Sequence, residues 1–233
     1  MEVSHDQQGA AKGDPAGDAP AGGSGQSDAD SGLLLTMLGK TTRDRQAERR
    51  EATRAEIIEA AWDMTREVGL AQITLRGVAD RVGMRAPSLY THFDSKNAIY
   101  DAMFGQAWTE CLAHFESLKD QEPPDAREAL RFTARTFFEF AVRDLARHQL
   151  MNLRTIPGFD PSEKNYAPAV ATLDLAQELF LRHGITATED LDLFTALIGG
   201  LIDAQHANDP GGDRWTRLLD RAVDMFADHL DLP

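Results

Sequence analysis

From Thr53 to the end of the chain, apolar residues recur every three or four positions, and no stretch alternates strictly enough to predict a strand. The pattern is that of an all-α protein with about nine helices. Ile57, Ala61, Met64 and Val68 form the stripe of a first helix, opened by a capping box of Thr53 and Glu56 and stopped by Gly69. Thr74 caps a second helix, whose Leu75, Val78, Ala79 and Val82 share one face. Gly83 supplies a turn that calls for positive φ, and Met84 fills the angle to the next helix. That third helix is short, about two turns. It tolerates Pro87 because the proline sits in the first turn, where amide protons have no intrahelical partner. Leu89 and Phe93, four apart, point inward and leave Arg85, Ala86, Ser88, Tyr90, Thr91 and His92 facing out.

A fourth helix is predicted from Ser95 or Asn97 to about Leu118. After a turn at Pro123 and Pro124, a capping box of Asp125 and Glu128 opens another, which carries Phe132, Phe137, Phe138, Phe140 and Leu145 to about His148. Pro157, Gly158 and Pro161 break helicity before a helix from about Ala167 to His183, stopped by Gly184. The last two run from about Glu189 to Ala207 and from about Arg214 to Leu230, joined by the turn NDPGGD. Leu193, Leu197, Ile198, Leu201 and Ile202 line the former; Leu218, Leu219, Ala222, Val223, Phe226 and Leu230 line the latter. Gly199 and Gly200 permit another helix to come close. Such a hairpin serves a monomer core or a paired interface equally well.

The N-terminal residues read differently. Residues 1–32 are mostly Gly, Ala, Asp, Ser, Pro and Gln, with little to bury against the entropy of ordering, and residues 1–39 as a whole are expected to be a disordered tail. Its GGSG, Gly22 to Gly25, is linker and not a phosphate loop, and LLLTML, Leu33 to Leu38, reads as a frayed docking turn. The tract from Lys40 to Arg54 carries six basic side chains and suits either a solvated helix face or an arm on phosphates. Charge sharpens the division. The net charge is -14, yet residues 40–96 hold eleven basic and nine acidic side chains, a net of +2, against -5 before them and -11 in residues 97–233. That one segment would be turned toward a polyanion. The expected domains are therefore 1–39, 40–96 and 97–233.

Several classes are disfavoured. The single cysteine, Cys111, leaves no internal disulfide and suits a reducing compartment. No apolar run approaches the roughly 18 residues of a membrane span, and the start lacks a secretory signal, so a cytoplasmic protein without membrane contact is expected. There is no nucleophile elbow, dinucleotide fingerprint or phosphate loop, and the seven histidines show no metal spacing; neither catalytic residue, metal nor cofactor is expected.

A short helix held by its neighbours, with its leading end outward, suits the DNA major groove, with Tyr90, His92 and Lys96 further along on phosphates. The same spacing also fits a plain three-helix corner of a helical binding or interaction protein with no DNA contact. Here the residues add something more specific. The run from Ile57 to Tyr100, with Ala60, Ala61, Gly69, TLRGVADRVGM, PSLYTHF and SKNAIYDAM, resembles the DNA-binding domain of TetR-type bacterial transcriptional regulators.

The resemblance implies an N-terminal three-helix helix-turn-helix domain followed by a larger helical ligand-binding and dimerisation domain. Such a homodimer binds a palindromic double-stranded DNA operator and is released by a small-molecule effector, unidentified here. Carried over by position, Arg76, Arg85, Ala86, Pro87 and Ser88 fall where the family touches bases, and Thr74, Tyr90, His92 and Lys96 where it touches phosphates. The effector pocket would draw on Arg135, Phe138, His148, Met151, Asn152, Phe159, Tyr166 and Phe180, with Phe137, Ala141, Leu173 and Arg154 as further candidates. The dimer interface would use Leu197, Leu201, Leu219, Val223 and Phe226. Two departures, Gly77 in the second helix and Thr65 in the first, bear on local packing.

Overall fold

The computed structural model describes residues 27–233, with side chains from residue 44 onward. Among them the regular elements are helices alone, nine of them α-helices. By compactness the chain divides into residues 1–48 and a packed body of residues 49–233. Of the expected tail, residues 1–26 lie outside the described residues; from Ser27 the chain is helical.

That helix, α1 (Ser27–Val68), corrects the first expectation. Thr53 does not open a helix: its hydroxyl donates to the Arg49 carbonyl at 3.0 Å, one turn back inside a helix already running. The surrounding RDRQAERREATRAE is built of good helix formers without a breaker, so nothing local halts it. The stop is as expected. Gly69 adopts φ 85°.

Helix α2 (Leu75–Arg81) is capped by Thr74, whose Oγ1 accepts from the Gly77 amide at 3.0 Å. It ends through Gly83, at φ 70°, while the Met84 amide reaches back to the Ala79 carbonyl at 2.9 Å. These are the bonds of a Schellman termination, which needs a residue free to turn left-handed. Helix α3 (Ala86–Leu89) keeps only four residues of regular helix before tighter turns bring the His92 and Phe93 amides onto the Leu89 carbonyl at 2.9 and 3.0 Å. A helix this short has no stability of its own. Leu89 and Phe93, both buried, tie it to Ile57, Trp62, Ile99 and Met103 in the first hydrophobic core.

Both departures noted above are absorbed locally. Thr65 is buried and donates to the Ala61 carbonyl at 2.8 Å, and Gly77 makes room for Met64, whose methyl lies 2.5 Å from where a Cβ would be. Helix α4 (Lys96–Leu118), capped by Ser95, leaves this core for the rest of the body. Its Gln106 accepts from Trp62 Nε1 at 2.8 Å, and its Tyr100 hydroxyl donates to the Leu70 carbonyl.

Helix α5 (Ala126–Val142) starts at Asp125 as expected but stops short of His148. Asp144 accepts from the Ala146 and Arg147 amides and opens a separate α6 (Leu145–Asn152). Helix α7 (Glu163–Arg182) begins a turn earlier than the sequence suggests, because Ser162 caps it while bonded to Asp101; Pro168 lies inside its second turn. Gly105 lets α4 and α7 approach, since a Cβ there would sit 2.6 Å from Asn165 Oδ1. Helices α8 (Thr188–Asn208) and α9 (Leu219–His229) complete a second core with α5 and α7. Arg127, Arg131 and Arg135, one turn apart on α5, pair with Asp228, Asp224 and Asp220 on α9, so the last helix is pinned by charge along its length as well as by its apolar face.

Candidate functional site

The outward surface of α2 and α3 carries most of the residues assigned to DNA. Arg76, Arg85, Pro87, Ser88, Tyr90 and Thr91 are exposed, Tyr90 by 54% although it is a large aromatic. Arg76 has only a loose partner, Asp80 at 4.0 Å, and can reach elsewhere. Ala86 is half-buried against the core, so its small methyl allows close approach but offers little reach.

The expected phosphate-binding set is less uniform. Thr74 is exposed but its oxygen already caps α2. Lys96 is half-buried; it donates to the Ala71 carbonyl at 3.2 Å and lies 5.4 Å from the Tyr100 ring centre. His92 is half-buried too, and its Nδ1 is enclosed without a hydrogen-bond partner.

The structure adds two residues that the spacing left open. Arg50 and Arg54, from the basic tract of α1, reach the far end of the recognition segment: Arg50 donates to the Thr91 carbonyl at 3.2 Å, and Arg54 donates to the His92 carbonyl while its guanidinium stacks 4.1 Å from the Phe93 ring centre. The carbonyls at the end of a helical segment lack intrahelical donors, and cationic side chains satisfy them. With Tyr90, Thr91 and His92 these arginines line an open hollow of about 350 Å³. No sequence rule links positions 38 to 41 apart; only the docking of α1 across α3 does.

This arrangement agrees with comparison to known proteins. Residues 57–103, which contain α2, α3 and their supports, match the profile of "Bacterial regulatory proteins, tetR family". The chain belongs to the TetR family. It is similar to the class A tetracycline repressor from transposon 1721 of Escherichia coli, at 29% identity over 184 residues, covering 73% of this chain and 79% of that one. The class D tetracycline repressor of Escherichia coli is 30% identical over 160 residues, covering 65% of this chain and 66% of that one. Among solved structures, the Bacillus subtilis regulator FadR in complex with stearoyl-CoA superposes with a TM-score of 0.61 at 16% identity, over 74% of this chain and 96% of that one, a likeness of fold.

Beyond the TetR-family DNA-binding domain, α4, α5, α7 and α8 enclose an apolar cavity of about 130 Å³, lined among others by Trp108, Phe115, Phe137, Asn152, Leu173 and Phe194. Of the residues expected there, Asn152 lines it, as do Phe137 and Leu173. Phe138 and Phe180 are instead buried in the second core, Ala141 with them, and Arg135 points outward to Asp220. Met151, Phe159, Tyr166 and Arg154 line a neighbouring hollow of about 170 Å³, which Asn152 also borders. Trp108 and Phe194 were missed because a helical stripe does not distinguish a side chain that meets another from one that meets a void.

His148 lines neither space. It is buried, with Nε2 2.7 Å from Asp203 and Nδ1 3.2 Å from Asn152, and its ring stacks on His206 at 5.3 Å. Burial lowers its pKa below the ordinary value, outweighing the upward pull of Asp203. The Cys111 thiol, buried in the first core, is pushed up to about 12 by desolvation and is an inert packing group. Among the described residues, no group of three or more His, Cys, Asp or Glu side chains converges to hold a metal, and no helix is long and apolar enough to cross a membrane.

The expected interface set divides in the same way. Leu219, Val223 and Phe226 are consumed by the chain's own second core and cannot meet a partner. Leu197 and Leu201 are half-buried. The apolar residues left open on this hairpin are Leu193, Leu218 and Met225, beside Gly199 and Gly200, where an added Cβ would touch nothing within 4 Å.

Proposed function

We propose that the protein is a dimeric repressor that binds a palindromic operator through α2 and α3 and leaves it when a small molecule occupies the cavity between α4, α5, α7 and α8. One observation carries the DNA reading: the two apolar side chains of the recognition segment, Leu89 and Phe93, are buried while Arg85, Pro87, Ser88 and Tyr90 stand exposed, so the segment is held from behind and open in front. Arg85 supplies a donor fork for a guanine edge, and Ser88 and the proline let the backbone come close. The tetracycline repressors and the stearoyl-CoA complex among its relatives support an effector-bound form.

A palindromic operator calls for a dimer. Half-sites one helical turn apart, about 34 to 36 Å, require two recognition segments fixed by a two-fold axis. Leu193 and Gly200, exposed on α8 beside the half-buried Leu197 and Leu201, together with Leu218 just before α9 and Met225 on it, supply the face for a four-helix bundle with a second copy. Coupling runs through two connections. Helix α4 carries Tyr100 in the DNA-binding core and Trp108 and Phe115 at the cavity. Helix α6 holds Asn152 at the cavity, while at its other end Asp144 meets Arg66 at 2.9 Å and Arg147 lies 5.3 Å from the Trp62 ring centre, both on α1. A shift of α4 or α6 on ligand binding thus reorients the reading heads, and a coupling of about 1 to 3 kcal/mol suffices for switching.

Selection of bound sites from a random duplex pool tests the reading. The expected result is an inverted repeat with half-site centres about 10 base pairs apart, bound with an affinity that falls steeply with salt. Absence of duplex binding at low salt would instead favour a helical interaction module.

A further inference from the structure

The hollow of about 170 Å³ at the end of α6 stands beside the proposed effector cavity and shares only Asn152 with it. It is large enough for one ring, since roughly 150 Å³ suffices for benzene. Phe104 stacks on Tyr166 with ring centres 6.1 Å apart and planes at 14°, Phe159 meets Phe104 edge-on at 6.5 Å, and Met151 adds a flexible apolar side chain. Two charged side chains line it as well, Arg154 and Asp160, both exposed and 3.4 Å apart. They offset one another in water and offer an ion no net attraction. The Tyr166 hydroxyl can donate or accept, so it does not discriminate between guests.

Asn152 does discriminate. It is the last residue of α6 and exposed, and its amide is oriented from behind. Burial keeps the His148 ring neutral, and the Asp203 carboxylate can only accept, so the ring proton lies on Nε2, 2.7 Å from Asp203. Nδ1 is then an acceptor and receives the Asn152 Nδ2–H at 3.2 Å, while the same nitrogen donates to the His148 carbonyl at 3.3 Å. Both partners demand a donor. Turning the amide over would set its oxygen against a lone pair and a carbonyl, so the nitrogen is held by α6 and the oxygen is left for a guest. Among the described residues Oδ1 accepts no hydrogen bond. We infer that this hollow is a second small-molecule site, which takes an uncharged single ring carrying a hydroxyl or N–H donor and directs that donor onto Asn152 Oδ1.

Phenol, benzonitrile and benzoate, titrated into the full chain by calorimetry without DNA, separate the contributions. Phenol and benzonitrile are single rings of similar lipophilicity, the first with a donor and the second with an acceptor alone, and benzoate adds a charge. Phenol is expected to bind about fivefold or more tightly than benzonitrile, and more tightly than benzoate. In protein carrying ¹³C-methyl-labelled methionine, phenol should also move the Met151 signal, because Met151 lines this hollow and not the effector cavity. Asn152→Leu should erase the preference for phenol over benzonitrile. If that variant does not fold, the wild-type affinity ratio and the Met151 shift decide. Benzonitrile or benzoate bound as tightly as phenol, phenol binding with an unmoved Met151 signal, an undiminished preference in Asn152→Leu, or no binding of phenol up to its solubility each overturn the inference. Because the readout is ligand binding alone, its failure is separate from failure to bind an operator.

Discussion

Replacing Arg54 by Ala tests whether the basic tract of α1 acts as a structural cap on the recognition segment. In the folded chain the guanidinium donates to the His92 carbonyl and stacks at 4.1 Å on Phe93. A hydrogen bond from a charged donor contributes about 1.5 to 3 kcal/mol, and a partly exposed cation–π contact about 0.5 to 1 kcal/mol. Arg50 still serves the Thr91 carbonyl, and Leu89 and Phe93 remain packed, so the segment is loosened and not released. The expected loss is about 2 kcal/mol of unfolding free energy in urea, measured without DNA. Arg54→Lys should recover little of it, since an ammonium has neither the fork nor the flat face. A phosphate contact behaves oppositely. It would leave unfolding unchanged, lower the salt slope of duplex binding by about 0.9, and be largely restored by Lys. Unfolding of Arg54→Ala within about 0.5 kcal/mol of the parent, with Lys rescuing DNA binding, would refute the capping argument.

The remaining predictions concern the body. His148 has a folded pKa below its unfolded one, so the unfolded chain takes up the proton first; stability is intact above about pH 6.5 and falls as pH drops toward the folded value, by at most about 1.4 kcal/mol per pH unit, with Asp203 and His206 as the facing titratable groups. Urea midpoints across that range should be flatter for His148→Gln than for the parent, and parallel curves would contradict the assignment. Gly105→Ala forces α4 from α7 at Asn165 and should cost about 1 to 3 kcal/mol, whereas Gly77→Ala meets the flexible end of Met64 and, at 3.1 Å, the Thr74 Oγ1 that caps α2, and should stay within about 1 kcal/mol of the parent. Met225→Glu, at a side chain 65% exposed in one protomer, should leave monomer folding intact but shift sedimentation toward the monomer, and an unchanged dimer would place the interface elsewhere.

Reading the chain without coordinates works where the signal is local. Thr74, Ser95 and Asp125 cap helices because a short polar side chain beside a run of helix formers has one good use, and all three do so. Gly69 and Gly83 stop helices because they alone turn left-handed at no cost. The inward pair Leu89 and Phe93 is fixed by helical period. Where the reading failed, two local rules competed or none applied. Thr53 has a cap's chemistry but lies inside a longer run of helix formers, and the Asp144 cap was hidden within a continuous apolar stripe.

The sequence by itself determined the all-helical fold, the helix-turn-helix segment and its exposed face, since each depends on periodicity and capping within a few residues. It left undecided which apolar residues are core, cavity wall or interface. Leu218 and Val223 stand in the same apolar stripe of the last predicted helix, yet one is open and the other sealed inside. Phe137 and Phe138 are neighbours, yet one borders a void and the other fills the core. Tertiary structure decided these cases, because burial against a partner, a space or another copy depends on which distant helix arrives opposite, and no local pattern carries that distance.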